Sequence, residues 1–122
     1  MFNSSVRLLV CGGRDYADRD KVFDVLDFCD KGLTFAGVMH GGANGADALA
    51  REWAIARGKP HMSFKADWSR GPRAGPERNA RMLAEGRPDL VIAFPGGRGT
   101  ADMIVRARKA GLPVWEVDAE QC

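Results

Sequence analysis

Three glycine-rich turns are the segments of this sequence best suited to chemistry. Each directly follows a short apolar run: CGGRDY at 11–16, HGGANGAD at 40–47 and PGGRGT at 95–100. Glycine lets backbone N–H groups approach a phosphate closely, and the positive end of a following helix adds to the attraction. The same glycines could serve only the backbone conformation of the turns. Three such turns at one edge of a fold favour an anion-binding role.

Polar side chains in and near these turns extend the candidate site. Thr100 stands at the start of a helix, where it can cap that helix and donate a hydroxyl to a ligand. Arg14 and Asp15 suit phosphate and ribose hydroxyls, or a mutual ion pair. A long connection at 66–79 is rich in Gly, Pro and Arg, and loops of this length are usually functional or mobile. Its Trp68 could stack on a ring, but we expect it to plug the core beneath its own loop.

Several common chemistries are excluded by missing motifs. The G-x-G-x-x-G spacing of a dinucleotide site, the G-x-x-x-x-G-K-[ST] loop and the G-x-S-x-G elbow are all absent. The two histidines, His40 and His61, do not adjoin a cysteine, so no zinc signature forms. We therefore predict no cofactor and no metal. Cys11, Cys29 and Cys122 have no paired spacing, and no signal-peptide pattern occurs, which favours a reduced, cytoplasmic protein.

Length and charge narrow the class further. A chain of 122 residues with 45% hydrophobic content predicts one domain over 1–122. The net charge of +2 is uneven, because residues 65–109 carry ten Lys and Arg against five Asp and Glu, whereas residues 1–64 balance at eight and eight. This excess suits an anionic ligand or a solvated arginine face. No apolar run approaches the length of a membrane span.

The elements that must position these residues alternate between apolar runs and helical-period segments, which predicts a parallel sheet with helices on both faces. Continuous apolarity at 90–94 favours a central strand, whereas alternation at 61–66 and the leading proline of 113–117 favour edges. These assignments predict the strand order 3-2-1-4-5, with the three turns at one rim. The predicted strands are 6–11, 33–39, 61–66, 90–94 and 113–117, and the predicted helices are 18–31, 44–57, one opened by Arg78 and Asn79, and one that follows the third turn.

The combination of GGRDY, HGGANGAD, ADW…AGPERN, DLVIAFPGGRGTADM and AGLPV resembles the SLOG superfamily and, within it, the YspA-like, YpsA-related group. The motifs occur in the expected order over nearly the whole chain. The resemblance implies an α/β, Rossmann-like three-layer sandwich that binds nucleotides or nucleotide-derived ligands, in some members as a sensor.

The resemblance also links the chain to the lysine decarboxylase-like phosphoribohydrolases that activate cytokinins. Their PGGxGTxxE hallmark matches this sequence except at the glutamate, where Met103 stands, and their upstream RKxxM segment is matched with Asn79 in place of lysine. Asp102 precedes Met103, but a shift of one residue turns a helical side chain by about 100°. We therefore predict no catalytic residue and expect Met103 to pack against the sheet.

The leading hypothesis is a nucleotide-binding module in which the third turn holds phosphate and Arg78 neutralises it. The alternative is an N-glycosidic hydrolase acting on nucleoside monophosphates, with Asp15, Asp47 or Asp102 replacing the glutamate. A single-stranded nucleic-acid platform is least favoured, because the chain lacks an interleaved aromatic and basic surface. Alanine-rich helix faces permit a homodimer. The predicted ligand-binding residues are Gly12, Gly13, Arg14, Asp15, Gly41, Gly42, Asn44, Asp47, Arg78, Asn79, Pro95, Gly96, Gly97, Gly99 and Thr100.

Overall fold

One five-stranded parallel sheet, in the order β3-β2-β1-β4-β5, organises the protein. The structure is a computed structural model that describes residues 5–118. The predicted strand order and the two predicted edge strands are confirmed. The strands are β1 (Val6–Cys11), β2 (Phe35–His40), β3 (His61–Ser63), β4 (Leu90–Ala93) and β5 (Val114–Glu116), and the α-helices are α1 (Arg19–Leu33), α2 (Ala46–Ala56), α3 (Ala74–Arg81) and α4 (Arg98–Lys109).

Helices cover both faces of the sheet, as the sequence predicts. Side chains alternate along β1, so that Leu8 and Val10 point to one face and Leu9 to the other. Helices α1 and α2 cover the first face, with the fully buried Trp53 at the centre of their core. The second face is covered by α4 and the turn after α3, which contribute Met103 and Met82. The fold is therefore a Rossmann-like α/β sandwich of three layers.

The first helix extends further than its apolar stripe predicts. Its last hydrogen bond runs from the Thr34 amide to the Asp30 carbonyl, at 2.9 Å. The Asp30 carboxylate then accepts a hydrogen bond from the Phe35 amide at 2.8 Å, which leads the chain directly into β2. Residue 33, predicted to open the second strand, thus ends α1 instead, because periodicity marks the buried stripe and not the cap.

The third strand is shorter than predicted, and the connection after it is largely helical. The Phe64 amide still donates to the His40 carbonyl at 2.8 Å, but β3 itself ends at Ser63. A 3₁₀ helix, Trp68–Arg73, follows and leads directly into α3. The Asp67 carboxylate accepts from the Ser69 amide at 3.1 Å and so caps the 3₁₀ helix. The 3₁₀ helix and the first part of α3 occupy most of the predicted loop at 66–79.

The second and fourth helices begin near their predicted positions. Gly45 precedes α2 with a φ of 72°, a left-handed conformation that favours glycine. A single π-helical turn, Met82–Gly86, continues α3 toward β4. Within residues 5–118 no helix is long and apolar enough to cross a membrane. Cys11 and Cys29 are free thiols, and Cys122 lies outside the described residues.

Candidate functional site

The three glycine-rich turns meet at the carboxyl edge of the sheet and are joined by backbone hydrogen bonds. The Gly13 amide donates to the Pro95 carbonyl at 2.9 Å, which connects the turns after β1 and β4. The Ala46 amide donates to the Gly13 carbonyl at 3.1 Å, which connects the turn after β1 to the start of α2. Because β1 and β4 are neighbours while their helices lie on opposite faces, this rim is the topological switch point of the sheet.

Glycines in the turns serve two distinct purposes. At Gly13 a Cβ atom would lie 2.9 Å from the Pro95 carbonyl oxygen, and at Gly96 it would collide with the Thr100 hydroxyl. Such glycines allow the turns to pack against one another. At Gly97 and Gly99, in contrast, no atom outside the adjoining backbone and neighbouring residues lies within 4 Å of the position a Cβ would take. These two glycines keep the start of α4 open to an incoming group.

A cleft of about 570 Å³ opens above this rim, a volume within the range of small-molecule sites. It brings together most of the predicted ligand-binding residues. Asp15 instead lines a shallow depression beside Tyr16, and Pro95 and Gly96 line a smaller cavity toward β5. The predicted residues that line the cleft are Gly12, Gly13, Arg14, Gly41, Gly42, Asn44, Asp47, Arg78, Asn79, Gly97, Gly99 and Thr100.

Other residues that were not predicted as ligand-binding also line the cleft, some from the turns themselves and some from the connection after β3. Lys65 and Arg98 bring two further cations to it. Arg98 is the variable residue of the third turn, so its position in the motif was a usable signal. Trp68 was considered as a stacking residue but was expected in the core. Nothing in the local sequence distinguishes the rest, which are Cys11, Ala43, Ala66, Gly75 and Met82.

Arg78 is held in the cleft by the protein backbone. Its Nη1 donates to the carbonyl oxygens of Gly41 at 2.9 Å and Phe64 at 3.3 Å, and its Nε donates to Asn79 Oδ1 at 3.0 Å. Within residues 5–118 no side chain or carbonyl accepts a hydrogen bond from Nη2. Burial lowers the pKa of this guanidinium, which remains charged at any physiological pH. Arg78 is therefore a pre-positioned cation with donor capacity to spare.

Asn79 connects α3 to the start of α4. Its side chain is buried, and Nδ2 donates to the Gly99 carbonyl at 3.1 Å and to Asp102 Oδ2 at 3.0 Å. Asp102 in turn accepts from Arg106 Nε at 2.8 Å and does not line the cleft. The prediction that Arg78 and Asn79 open a helix is wrong, since α3 begins at Ala74. Their mid-helix position lets one residue face β2 while the next reaches α4.

Asp47 is the only carboxylate among the described residues that line the cleft. Its Oδ2 accepts from the amides of Gly41 at 3.0 Å and Ala43 at 3.2 Å, so it holds the second turn in shape. Burial raises the pKa of Asp47 to about 6, although the Ala43 amide and the Arg78 charge act in the opposite direction. Against this carboxyl the cleft presents four cations, Arg14, Lys65, Arg78 and Arg98. The cleft is therefore electropositive.

Two predicted side-chain roles are wrong. Thr100 does not cap α4, because the cap residue is Gly97 and Thr100 lies one turn inside the helix, where it contacts the backbone of the third turn. Trp68 does not plug the core: it is 54% exposed and lines the cleft, with the Arg14 guanidinium 5.3 Å from its ring centroid. An Arg14–Asp15 ion pair does not form, since Arg14 lies over Trp68 instead.

Comparison with known proteins identifies the family of this chain. Residues 6–71 match the YspA, cpYpsA-related SLOG family. The chain belongs to this family. It is also similar to the Gene 61 protein of Mycobacterium phage D29, with 38% identity over 117 residues that span 88% of this chain and 93% of the relative.

The family match covers the first and second glycine-rich turns of this SLOG protein and ends within the 3₁₀ helix. The parts that complete the cleft, α3 and the start of α4, lie beyond the matched residues. Their contribution is established by the contacts of Arg78 and Asn79 alone.

Met103, which replaces the glutamate of the phosphoribohydrolase hallmark that the sequence resembles, lies in the core. It is 1% exposed and packs with Leu9, Met82 and Val91 against the sheet. The expectation that Met103 helps pack α4 is confirmed. Since this side chain does not line the cleft, a carboxylate at 103 would not reach a ligand there without rearrangement.

Proposed function

We propose that this SLOG protein binds a nucleotide or nucleotide-derived ligand in the cleft and acts as a ligand-binding module, in the manner of a sensor. The observation that carries the proposal is the arrangement around Arg78. A guanidinium fixed by two carbonyl oxygens retains a free nitrogen inside an electropositive cleft. Charge-assisted, pre-positioned donors of this kind favour phosphate.

The start of α4 supplies the second half of a phosphate site. The first turn of a helix carries unpaired backbone N–H groups, and the helix dipole places partial positive charge there. Open space at Gly97 and Gly99 gives an anion access to these groups. Asn79 holds this turn through the Gly99 carbonyl, so Arg78 and the turn keep a constant spacing. Both Asn44 and Asp47 line the cleft, and we expect Asn44 and the Asp47 oxygen that accepts neither amide to contact sugar hydroxyls.

The direct test is a search for the ligand followed by calorimetry. Native mass spectrometry of the purified protein should reveal a co-purifying nucleotide, and calorimetry should give tighter binding of AMP than of adenosine. A charge-assisted hydrogen bond contributes roughly 1.5 to 3 kcal/mol, so the difference should be at least about tenfold in Kd. If no nucleotide co-purifies with the protein and no nucleotide of a panel binds in calorimetry, the proposal fails.

Glycosidic hydrolysis is the second candidate, and Asp47 is the observation that favours it. A cleft carboxyl with a pKa of about 6 suits general acid or base catalysis near neutral pH. The other candidate carboxylates, Asp15 and Asp102, do not line the cleft. Because Asp47 is already held by two backbone amides, we assign it a structural and sugar-binding role. Steady release of free base from AMP that disappears in Asp47→Asn would instead establish the hydrolase.

A further inference from the structure

Trp68 is the one large aromatic side chain among the described residues that line the cleft. Trp68 is 54% exposed, so a large part of its surface is open to a partner. The remaining lining is glycine, alanine and charged or polar groups apart from Cys11 and Met82. An exposed aromatic ring in such a polar cleft is suited to a flat partner.

The surroundings of Trp68 show that a planar group can lie over its ring within the cleft. The Arg14 guanidinium, a planar group that also lines the cleft, lies over the ring at 5.3 Å from its centroid. Gly75 lies at the ring edge, where a Cβ would come within 3.4 Å of Cη2. A larger residue at 75 would press on this edge, so the glycine leaves the indole free to lie against the start of α3.

Helix α3 sets the distance between this ring and the phosphate site. Gly75 contacts Trp68, while Asn79 on the same helix binds the Gly99 carbonyl at the start of α4. Four residues of α-helix correspond to a rise of about 6 Å. The aromatic surface thus lies about one helical turn from the group of donors around Arg78, a separation that a sugar can bridge.

We propose that Trp68 is the base-binding residue of the cleft: the nucleobase stacks on the indole and takes the place over the ring that the Arg14 guanidinium holds, while its phosphate contacts Arg78 and the start of α4. This inference rests on the proposed nucleotide binding and adds the part of the ligand that is recognised. Stacking is tolerant of base identity, because every base has a π face. The site therefore selects nucleotides over sugar phosphates more strongly than one base over another.

The test separates the base from the phosphate. Calorimetry is run with AMP, GMP, CMP, UMP and ribose 5-phosphate on the wild type, Trp68→Ala, Trp68→Phe and Arg78→Ala. Trp68→Ala should weaken all four nucleotides by about tenfold or more and leave ribose 5-phosphate unchanged. Trp68→Phe should restore most of the affinity, and Arg78→Ala should weaken every ligand. Because Trp68 is exposed, its variants should fold, and circular dichroism checks the fold of every variant.

Fluorescence provides an independent readout within the same experiment. The chain has three tryptophans, of which Trp53 is fully buried and Trp115 lies on β5, away from the cleft. AMP should quench emission in the wild type and in Trp115→Phe, but not in Trp68→Phe.

Three results would overturn the inference while nucleotide binding stands. Trp68→Ala could weaken nucleotides and ribose 5-phosphate equally, or it could weaken neither. Quenching by AMP could also survive in Trp68→Phe. Binding of ribose 5-phosphate without enhancement by any base would also overturn it. Failure of all five ligands to bind the wild type would overturn both this inference and the proposed function.

Discussion

Gly97→Asp should weaken the binding of nucleotides at least about tenfold while leaving the protein folded. The space around the position is open, and its φ of −104° is accessible to any residue. Gly97 is the N-cap of α4, where aspartate is among the preferred residues because its carboxylate can accept a hydrogen bond from the first turn. The free energy of unfolding should therefore stay constant or rise by a few tenths of a kcal/mol.

The effect on binding follows from the charge. Two unit charges 4 Å apart interact by about 4 kcal/mol at an effective dielectric constant of 20, which corresponds to roughly a thousandfold change in Kd. Solvent in an open cleft reduces this value, so we expect a loss of at least about tenfold for AMP. The added carboxylate also occupies the amide groups that phosphate would use, which acts in the same direction.

Gly97→Asn is the matched control, since it has the same shape and capping ability without the charge. Calorimetry with AMP and adenosine on both variants, together with thermal unfolding, separates charge from steric effects. Gly97→Asp should bind AMP much more weakly but keep the weaker affinity for adenosine. Gly97→Asn should retain most of its affinity for both ligands. If a folded Gly97→Asp variant binds AMP as the wild type does, the start of α4 does not hold phosphate.

Three further predictions follow from the site and its surroundings. Arg78→Ala should weaken the binding of AMP by roughly 1.5 to 3 kcal/mol and the binding of adenosine by less. Equal losses for the two ligands in calorimetry would show that the arginine acts only through its hydrogen bonds to the backbone. Met103→Glu should destabilise the protein by several kcal/mol in urea titration, or unfold it, because it buries a carboxylate in an apolar cluster. Met103→Leu, the control, should cost less than about 1.5 kcal/mol of stability. A stable glutamate variant would contradict the burial of this side chain. Stability should also depend on Asp47 and His40 in opposite ways. Burial raises the pKa of Asp47 to about 6, so the stability that its protonated carboxyl contributes is fully present below pH 3.8 and is lost as the pH rises through 6. Burial lowers the pKa of His40 to about 4, so the stability that its neutral imidazole contributes is fully present above pH 6.5 and is lost as the pH falls toward 4. Asp47→Asn removes the pH dependence that Asp47 contributes. The free energy of unfolding of this variant, measured by urea titration, should rise more between pH 4.5 and pH 7.5 than that of the wild type, by at most about 3 kcal/mol. Identical pH profiles would refute this assignment.

Much of the fold was predictable from the sequence, because secondary structure and sheet order depend on local patterns. Continuous apolarity at 90–94 marks a strand buried on both faces, and β4 is central. Parallel strands end at the same edge, so three turns that each follow a strand must share a rim. Element boundaries were less predictable, as at Thr34, because caps depend on particular hydrogen bonds and not on periodicity.

Only the tertiary structure decided which side chains enter the cleft. Trp68, expected in the core, is exposed because the segment that carries it forms a 3₁₀ helix instead of a loop folded over the sheet. Arg78 is oriented by the carbonyl of Gly41, which lies 37 residues away along the chain. The raised pKa of Asp47 reflects burial beneath several turns. Sequence patterns report the face on which a residue lies, whereas burial, charge and hydrogen bonding depend on atoms that only folding brings near.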